Sequence, residues 1–142
     1  MIAQRQPQPQ QLPGARVGAG VIVLWLVLLV PPALALPRVA RELDLRILLP
    51  ALIGINVVTY FLYARDKRRA QAGAWRIAET TLHLVALLGG WPAAFLAQRR
   101  FRHKISKTSF QVAYWLIVAL HESATMDYLQ GWRWSQAIRD AW

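Results

Sequence analysis

A chain of 142 residues suffices for one domain, and 56% of this one is apolar. It contains no cysteine, which excludes disulfides, thiolate nucleophiles and thiolate metal sites. A formal net charge of +10 would suit nucleic acid. The basic residues, however, flank long apolar blocks, as they do in polytopic membrane proteins.

Residues 1–16 (MIAQRQPQPQQLPGAR) are rich in Gln and Pro and nearly devoid of apolar side chains, which predicts a disordered tail. The block Val17–Leu36 is uncharged for 20 residues, enough to span about 30 Å of hydrocarbon. It predicts a first span over 17–36, with Pro31-Pro32 ending or kinking the helix. Arg5 and Arg16, the apolar block and Ala33-Leu34-Ala35 also resemble a secretory signal with an A-x-A cleavage site. The length of the block favours a permanent anchor. Residues 37–46 form a short connector of mixed charge. A second uncharged block, Ile47–Ala64, predicts a span over 47–64 that ends in Arg65-Asp66-Lys67-Arg68-Arg69.

Residues 70–78 bring the chain back to the membrane, with Trp75 suited to the headgroup layer. The next apolar segment, 79–98, is interrupted by Gly89-Gly90-Trp91-Pro92. A last span is expected over 108–126. It is free of charge only from Thr108 to His121, so Lys107 and Glu122 must reach the interfaces. In the tail 127–142, Trp132, Trp134 and Trp142 stand beside Arg133 and Arg139, which predicts a short helix lying on a membrane surface. No internal repeat is visible.

Orientation follows from where Lys and Arg fall. Ten of the 17 lie in two clusters. One is Arg65, Lys67, Arg68, Arg69 and Arg76; the other is Arg99, Arg100, Arg102, Lys104 and Lys107, with His103 among them. If 79–98 crossed the bilayer once, one of these clusters would lie outside, against the positive-inside rule. If it turned at Gly89-Gly90-Trp91-Pro92 and left on the same side, both would be cytoplasmic. Each arm would then be about ten residues, roughly 15 Å of helix or half the hydrocarbon depth. Backbone at that depth needs protein around it. A single kinked helix, or a short one whose glycines allow close packing, stays open as the alternative. Both readings put the amino terminus inside and the 37–46 connector outside. The hairpin puts the carboxyl terminus outside, and a crossing puts it inside. The expected architecture is all-α: a polytopic helical membrane protein with three transmembrane helices plus a re-entrant or short helical hairpin around Gly89-Gly90.

Asp66 and Glu79 are the two acids among these cations. Interfacial charges in membrane proteins usually pair, so Asp66 is expected to pair with Arg76 or Lys104 and join the two loops. In a functional reading, Lys67, Arg76, Arg102, His103, Lys104 and Lys107 converge on a lipid phosphate, with Arg supplying bidentate contacts. Glu79 and His83 share one face of a helical arm at a spacing of four, so Glu79 with His83 or His103 is a weak candidate acid–base pair. His83, His103 and His121 lack ligand-like spacing, and no metal or other cofactor is expected. Asn56 and Thr59 read as inter-helix hydrogen-bonding residues rather than a conduction path. Three spans make a poor transporter unless the protein forms a homo-oligomer.

The stretch Tyr63–Gln111 (YARDKRRAQAGAWRIAETTLHLVALLGGWPAAFLAQRRFRHKISKTSFQ) resembles the bacterial family called Domain of Unknown Function 1294. The shared elements are an aromatic followed closely by Asp-Lys, a Trp-Arg-Ile-x-Glu motif, a double glycine and Arg-His-Lys-x-x-Lys. The family commonly has Pro at the position of Ala78, Gly at Ala93 and Thr at Ile105, so Ala93 weakens any need for three small residues at the turn. Many longer relatives carry an amino-terminal cold-shock domain, which implies a cytoplasmic amino terminus. The resemblance implies a class and no activity. The expected function is therefore that of a multi-pass bacterial inner-membrane protein, more readily non-enzymatic, whose basic cytoplasmic face meets anionic lipid or a protein partner. A membrane enzyme acting on lipid headgroups and a membrane tether for nucleic acid are the alternatives. With no cold-shock barrel in this chain, nucleic acid is the weaker of the two.

Overall fold

A computed structural model of the chain describes residues 17–141. The tail expected to be disordered, 1–16, lies outside the described residues, as does Trp142. The described elements are all helical: α1 (Ala19–Glu42), α2 (Leu45–Gln71), α3 (Glu79–Val85), a π-helical turn (Ala86–Gly90), α4 (Trp91–Phe101), α5 (Thr108–Leu129) and α6 (Arg133–Asp140). Three segments are long and apolar enough to cross a membrane: Ala19–Glu42, Leu45–Gln71 and Glu79–Phe101. The expected last span, now α5, has 22 residues but is not among these three. Gln111, His121, Glu122 and Asp127 dilute its apolar face.

Two sequence expectations need correction. Pro31 and Pro32 do not end the first helix, which runs on through them and through Pro37 to Glu42. Each proline deletes one donor. A helix remains the way to pair the other backbone groups of an apolar segment without water. The connector accordingly shrinks from 37–46 to Leu43 and Asp44, and the Asp44 carboxylate caps α2 by accepting from the Arg46 N–H at 2.8 Å. The second helix also outlasts its apolar block. It ends at Gln71 with Arg68 and Arg69 in the last turn, where cations suit the negative end of the helix dipole.

Between Glu79 and Phe101 the chain reverses. A straight helix from residue 79 to 104 would be roughly 38 Å long, yet Lys104 Nζ lies 3.5 Å from Glu79 Oε1. The reversal sits at Gly89, whose φ of 106° is open to glycine and strained for other residues. Pro92 follows in the first turn of α4, where a missing N–H costs nothing.

α4 runs back along α2. Asn56 of α2 donates to the Gly89 carbonyl at 3.1 Å and accepts from the Ala93 N–H at 3.0 Å. Further along, Gln98 Nε2 donates to the Tyr63 hydroxyl at 3.3 Å. Asn56 thus holds the tip of the reversal against the middle of α2.

The core lies between α2, the two arms and α5, and includes Tyr63, Leu82, Trp91, Phe95, Phe110 and Tyr114. Ala86, Gly90, Ala94 and Ala97, all buried, let the backbones approach closely. α5 starts beside the ends of the arms and passes the tip, where the Tyr114 hydroxyl donates to the Trp91 carbonyl at 3.0 Å. It finishes beside the end of α1, where Tyr128 donates to Glu42 at 2.9 Å and Arg38 donates to the Leu129 carbonyl.

α6 is fixed by one side chain. The buried Asp127 carboxylate accepts from the Trp134 N–H at 2.8 Å and from both the N–H and the hydroxyl of Ser135. These bonds, the Ser135 hydroxyl foremost, outweigh the opposing effect of burial and hold the acid below the usual carboxylate range. Trp132, Trp134 and Ile138 stay exposed. Asp127→Ala should release α6, and limited trypsin digestion would read this as faster cleavage after Arg133. An unchanged cleavage rate would mean that the docking does not depend on Asp127.

Candidate functional site

The two loops flanking the arms meet at Asp66, a fully buried acid one turn before the end of α2. One oxygen accepts from the Ile77 N–H at 2.8 Å, so the loop leading into α3 is tied to α2. The other lies 2.6 Å from His103 Nε2 and 3.4 Å from Lys104 Nζ, which tie in the loop leaving α4. Both basic residues are placed by an abrupt stop to α4, with Arg102 at φ 45° and Lys104 at φ 60°. Each is a left-handed conformation that needs support from surrounding contacts.

Glu79, at the start of α3, closes the other side. Its carboxylate is 3.5 Å from Lys104 Nζ and 2.8 and 2.9 Å from Lys107 Nζ. Lys104 therefore bridges both acids, and its ammonium also lies 5.0 Å from the centre of the Phe110 ring. Behind the ions runs a neutral relay. Gln111 donates to Gln98 Oε1 at 2.6 Å and to the Lys104 carbonyl at 3.1 Å, and Gln98 reaches Tyr63.

Burial pushes the His103 imidazole below its ordinary range, with the nearby Lys104 and Lys67 charges acting the same way. The Asp66 carboxylate pulls upward without reversing the shift. Nε2 faces the Asp66 carboxylate, an acceptor, at 2.6 Å, which assigns the shared proton to the ring nitrogen. Because the folded value lies below the roughly 6.5 of an unfolded chain, the unfolded chain binds a proton first as pH falls. This contribution to stability is complete above about pH 6.5 and is lost on acidification below it. Melting temperatures at pH 7.5 and 5.5 should fall more for the wild type than for His103→Gln. A wild-type melting temperature that rises on acidification relative to the variant would contradict the assignment.

Of the residues singled out from sequence, Asp66, Glu79, His103, Lys104 and Lys107 come together. Of its two expected partners Asp66 takes Lys104; Arg76 is exposed, as is Arg102, and Lys67 is half-buried. Trp75 is 90% exposed at the same end of the fold. His83 stacks on Phe110 with ring centres 4.3 Å apart, and its buried Nδ1 has no hydrogen-bond partner among the described residues. As weak catalytic candidates, Glu79 and His103 are both engaged, the carboxylate by two lysines and the imidazole by Asp66. Sequence reasoning missed Tyr63, Gln98 and Gln111, neutral residues that carry no charge signal.

The family described as "Protein of unknown function (DUF1294)" matches residues 56–110. The match begins at Asn56, which holds the tip, and ends just past the second basic cluster. An uncharacterized protein of Bacillus subtilis (strain 168), YsdA, is 35% identical over 69 residues, 49% of this chain and 78% of that relative. No solved structure matches.

Proposed function

The chain belongs to the DUF1294 family of proteins of unknown function, and we propose that it is an integral protein of the bacterial cytoplasmic membrane whose basic cytoplasmic face binds anionic lipid headgroups. In this reading α1, α2 and α5 cross the bilayer, and α3 and α4 enter from the cytoplasmic side and return to it. The amino terminus is cytoplasmic and the carboxyl terminus lies outside.

The observation that carries the reading is a charge imbalance. Between residues 65 and 107 there are ten Lys and Arg side chains and two acids. Both acids are taken up by His103, Lys104 and Lys107. Lys67, Arg76 and Arg102 have no acidic partner among the described residues, so their charge is available to phosphate. Basic residues at a membrane surface contribute about 1 kcal/mol each toward anionic lipid.

The test follows from that division of labour. Replacing Lys104 or Lys107 would open the ion-pair cluster, so the informative variant is Lys67→Gln, Arg76→Gln and Arg102→Gln combined. It should lower the ratio of phosphatidylglycerol to phosphatidylcholine retained from mixed vesicles by at least about tenfold, with the melting temperature unchanged. Wild-type protein that retains the two lipids in their bulk ratio would end the proposal. A carboxyl-terminal reporter should signal from outside; a cytoplasmic signal would remove the re-entrant arrangement.

A further inference from the structure

The half-length arms leave space above their tip. A groove of about 680 Å³ opens there, bounded by Trp25, Leu29 and Pro32 of α1, Leu52 and Val57 of α2, and Ala93 of α4. This volume is in the range of sites that enclose an apolar ligand. A second groove of about 330 Å³ shares Trp25, Tyr60 and Leu96 with it and continues along α1 to Val17, Ile22 and Arg100. Together they make one furrow, apolar along its length, with an arginine at the end that carries the basic clusters.

The wall is unsuited to a polar occupant. Asn56 spends both amide bonds on the Leu52 and Gly89 carbonyls, Trp25 Nε1 donates to the Pro92 carbonyl at 3.0 Å, and Thr125 donates to the His121 carbonyl. These three donors are turned to backbone acceptors, and the wall around them is apolar, so hydrocarbon is what it solvates best. Along α1, from Val17 to Pro32, it is roughly 22 Å long, against about 15 Å for half the hydrocarbon thickness.

We infer that the furrow holds the extended chain of a single anionic lipid, with its phosphate at Arg100 and its chain end above the arm tip, past the bilayer midplane. Charge complementarity at one end and a sealed apolar wall along the rest select this occupant. The inference rests on the reading of the basic face as an anionic-lipid surface and adds the seat of the chain.

The experiment is photolabelling of the full-length protein in vesicles with phosphatidylglycerol bearing a diazirine at one of two depths on its acyl chain. A diazirine near the glycerol should label Val17 and Ile22; one near the chain end should label Leu29, Pro32 and Leu52. Arg100→Gln should lower furrow labelling by about fivefold, and the same chain on phosphatidylcholine should label the furrow weakly. Ala93→Phe, which fills the groove, should abolish chain-end labelling there. Should that variant fold poorly, Leu29→Trp tests the same point from α1.

Chain-end label spread over the outward faces at Val112, Leu116 and Leu120, or indifferent to both fillings, would overturn the inference. So would filling variants that lower a dimer population and leave labelling intact, since a second copy would then be the occupant. If furrow labelling persists while the Lys67, Arg76 and Arg102 variant keeps its lipid preference, the surface reading fails and the furrow stands. If lipid preference is present and the furrow is unlabelled, the furrow inference fails alone.

Discussion

Asp66→Ala should destabilise the protein by about 3–4 kcal/mol, the usual cost of removing one partner from a buried ion cluster. The substitution removes the acceptor of the Ile77 N–H, of His103 Nε2 and of Lys104 at once. All three donors sit where water is scarce, because Asp66 is fully buried and His103 is nearly so. Asp66→Asn keeps an oxygen for Ile77 and should recover about 1 kcal/mol, the worth of one hydrogen bond. It still turns an amide toward two donors and so remains well below wild type. Unfolding in graded mixed micelles would measure both losses. A double-mutant cycle with His103→Ala should give a coupling of about 1–3 kcal/mol, as contacting residues of one network do. A loss below about 1 kcal/mol for Asp66→Ala would place the cluster in the solvated class of surface ion pairs. The arms would then be held by packing alone.

Much of this cluster was legible in the chain. Two basic clusters flank an apolar segment, with Asp66 the one acid inside the first and Glu79 the one acid at the segment's start, which points to these two as the residues joining the loops. Lys104 is one expected partner of Asp66 and lies 3.4 Å from it. Arg76 is the other and is exposed, while the backbone N–H of the adjacent Ile77 takes one oxygen of the carboxylate. Charge counting sees side chains and is blind to a main-chain donor that occupies the same oxygen. It is equally blind to Gln98 and Gln111, whose value comes from an alignment of α4 with α5 that local sequence does not encode.

The helices show the same division. Blocks of 20 and 18 uncharged residues located α1 and α2. Of the two outcomes expected at Pro31-Pro32, an end to the helix is absent, because the cost of unpaired backbone in apolar surroundings outweighs proline's local cost. The furrow could not have been read in advance. It exists because the arms stop partway along α2, at the level of Asn56, and a void of that kind belongs to the assembled shape.

The contact of the tip with α2 makes the second large prediction. A Cβ built on Gly90 would lie 2.1 Å from the Thr59 hydroxyl oxygen and 2.7 Å from the Val85 carbonyl oxygen. The first obstacle is a side chain and the second is backbone, so Gly90→Ala cannot be absorbed by one rotamer change. The expected cost is about 2–3 kcal/mol, that of overpacking a tight site. The clash should also lift the tip and break the Asn56 bonds to Gly89 and Ala93. Adding Thr59→Ala should recover part of the loss, since the Thr59 hydroxyl donates to the Ile55 carbonyl of its own helix; the Val85 obstacle remains. Gly89→Ala should cost about 1–2 kcal/mol through backbone strain. Its φ is 106°, while its nearest neighbour, Leu52, stands at an ordinary 3.5 Å. Gly54 supplies the contrast, lying inside α2 with nothing near its missing Cβ. Gly54→Ala should be neutral or stabilise by up to about 1 kcal/mol through helix propensity. Equal tolerance of alanine at 54 and 90 in the same unfolding assay would mean that the tip does not bear on α2. The half-length hairpin, and the furrow above it, would have to be abandoned together.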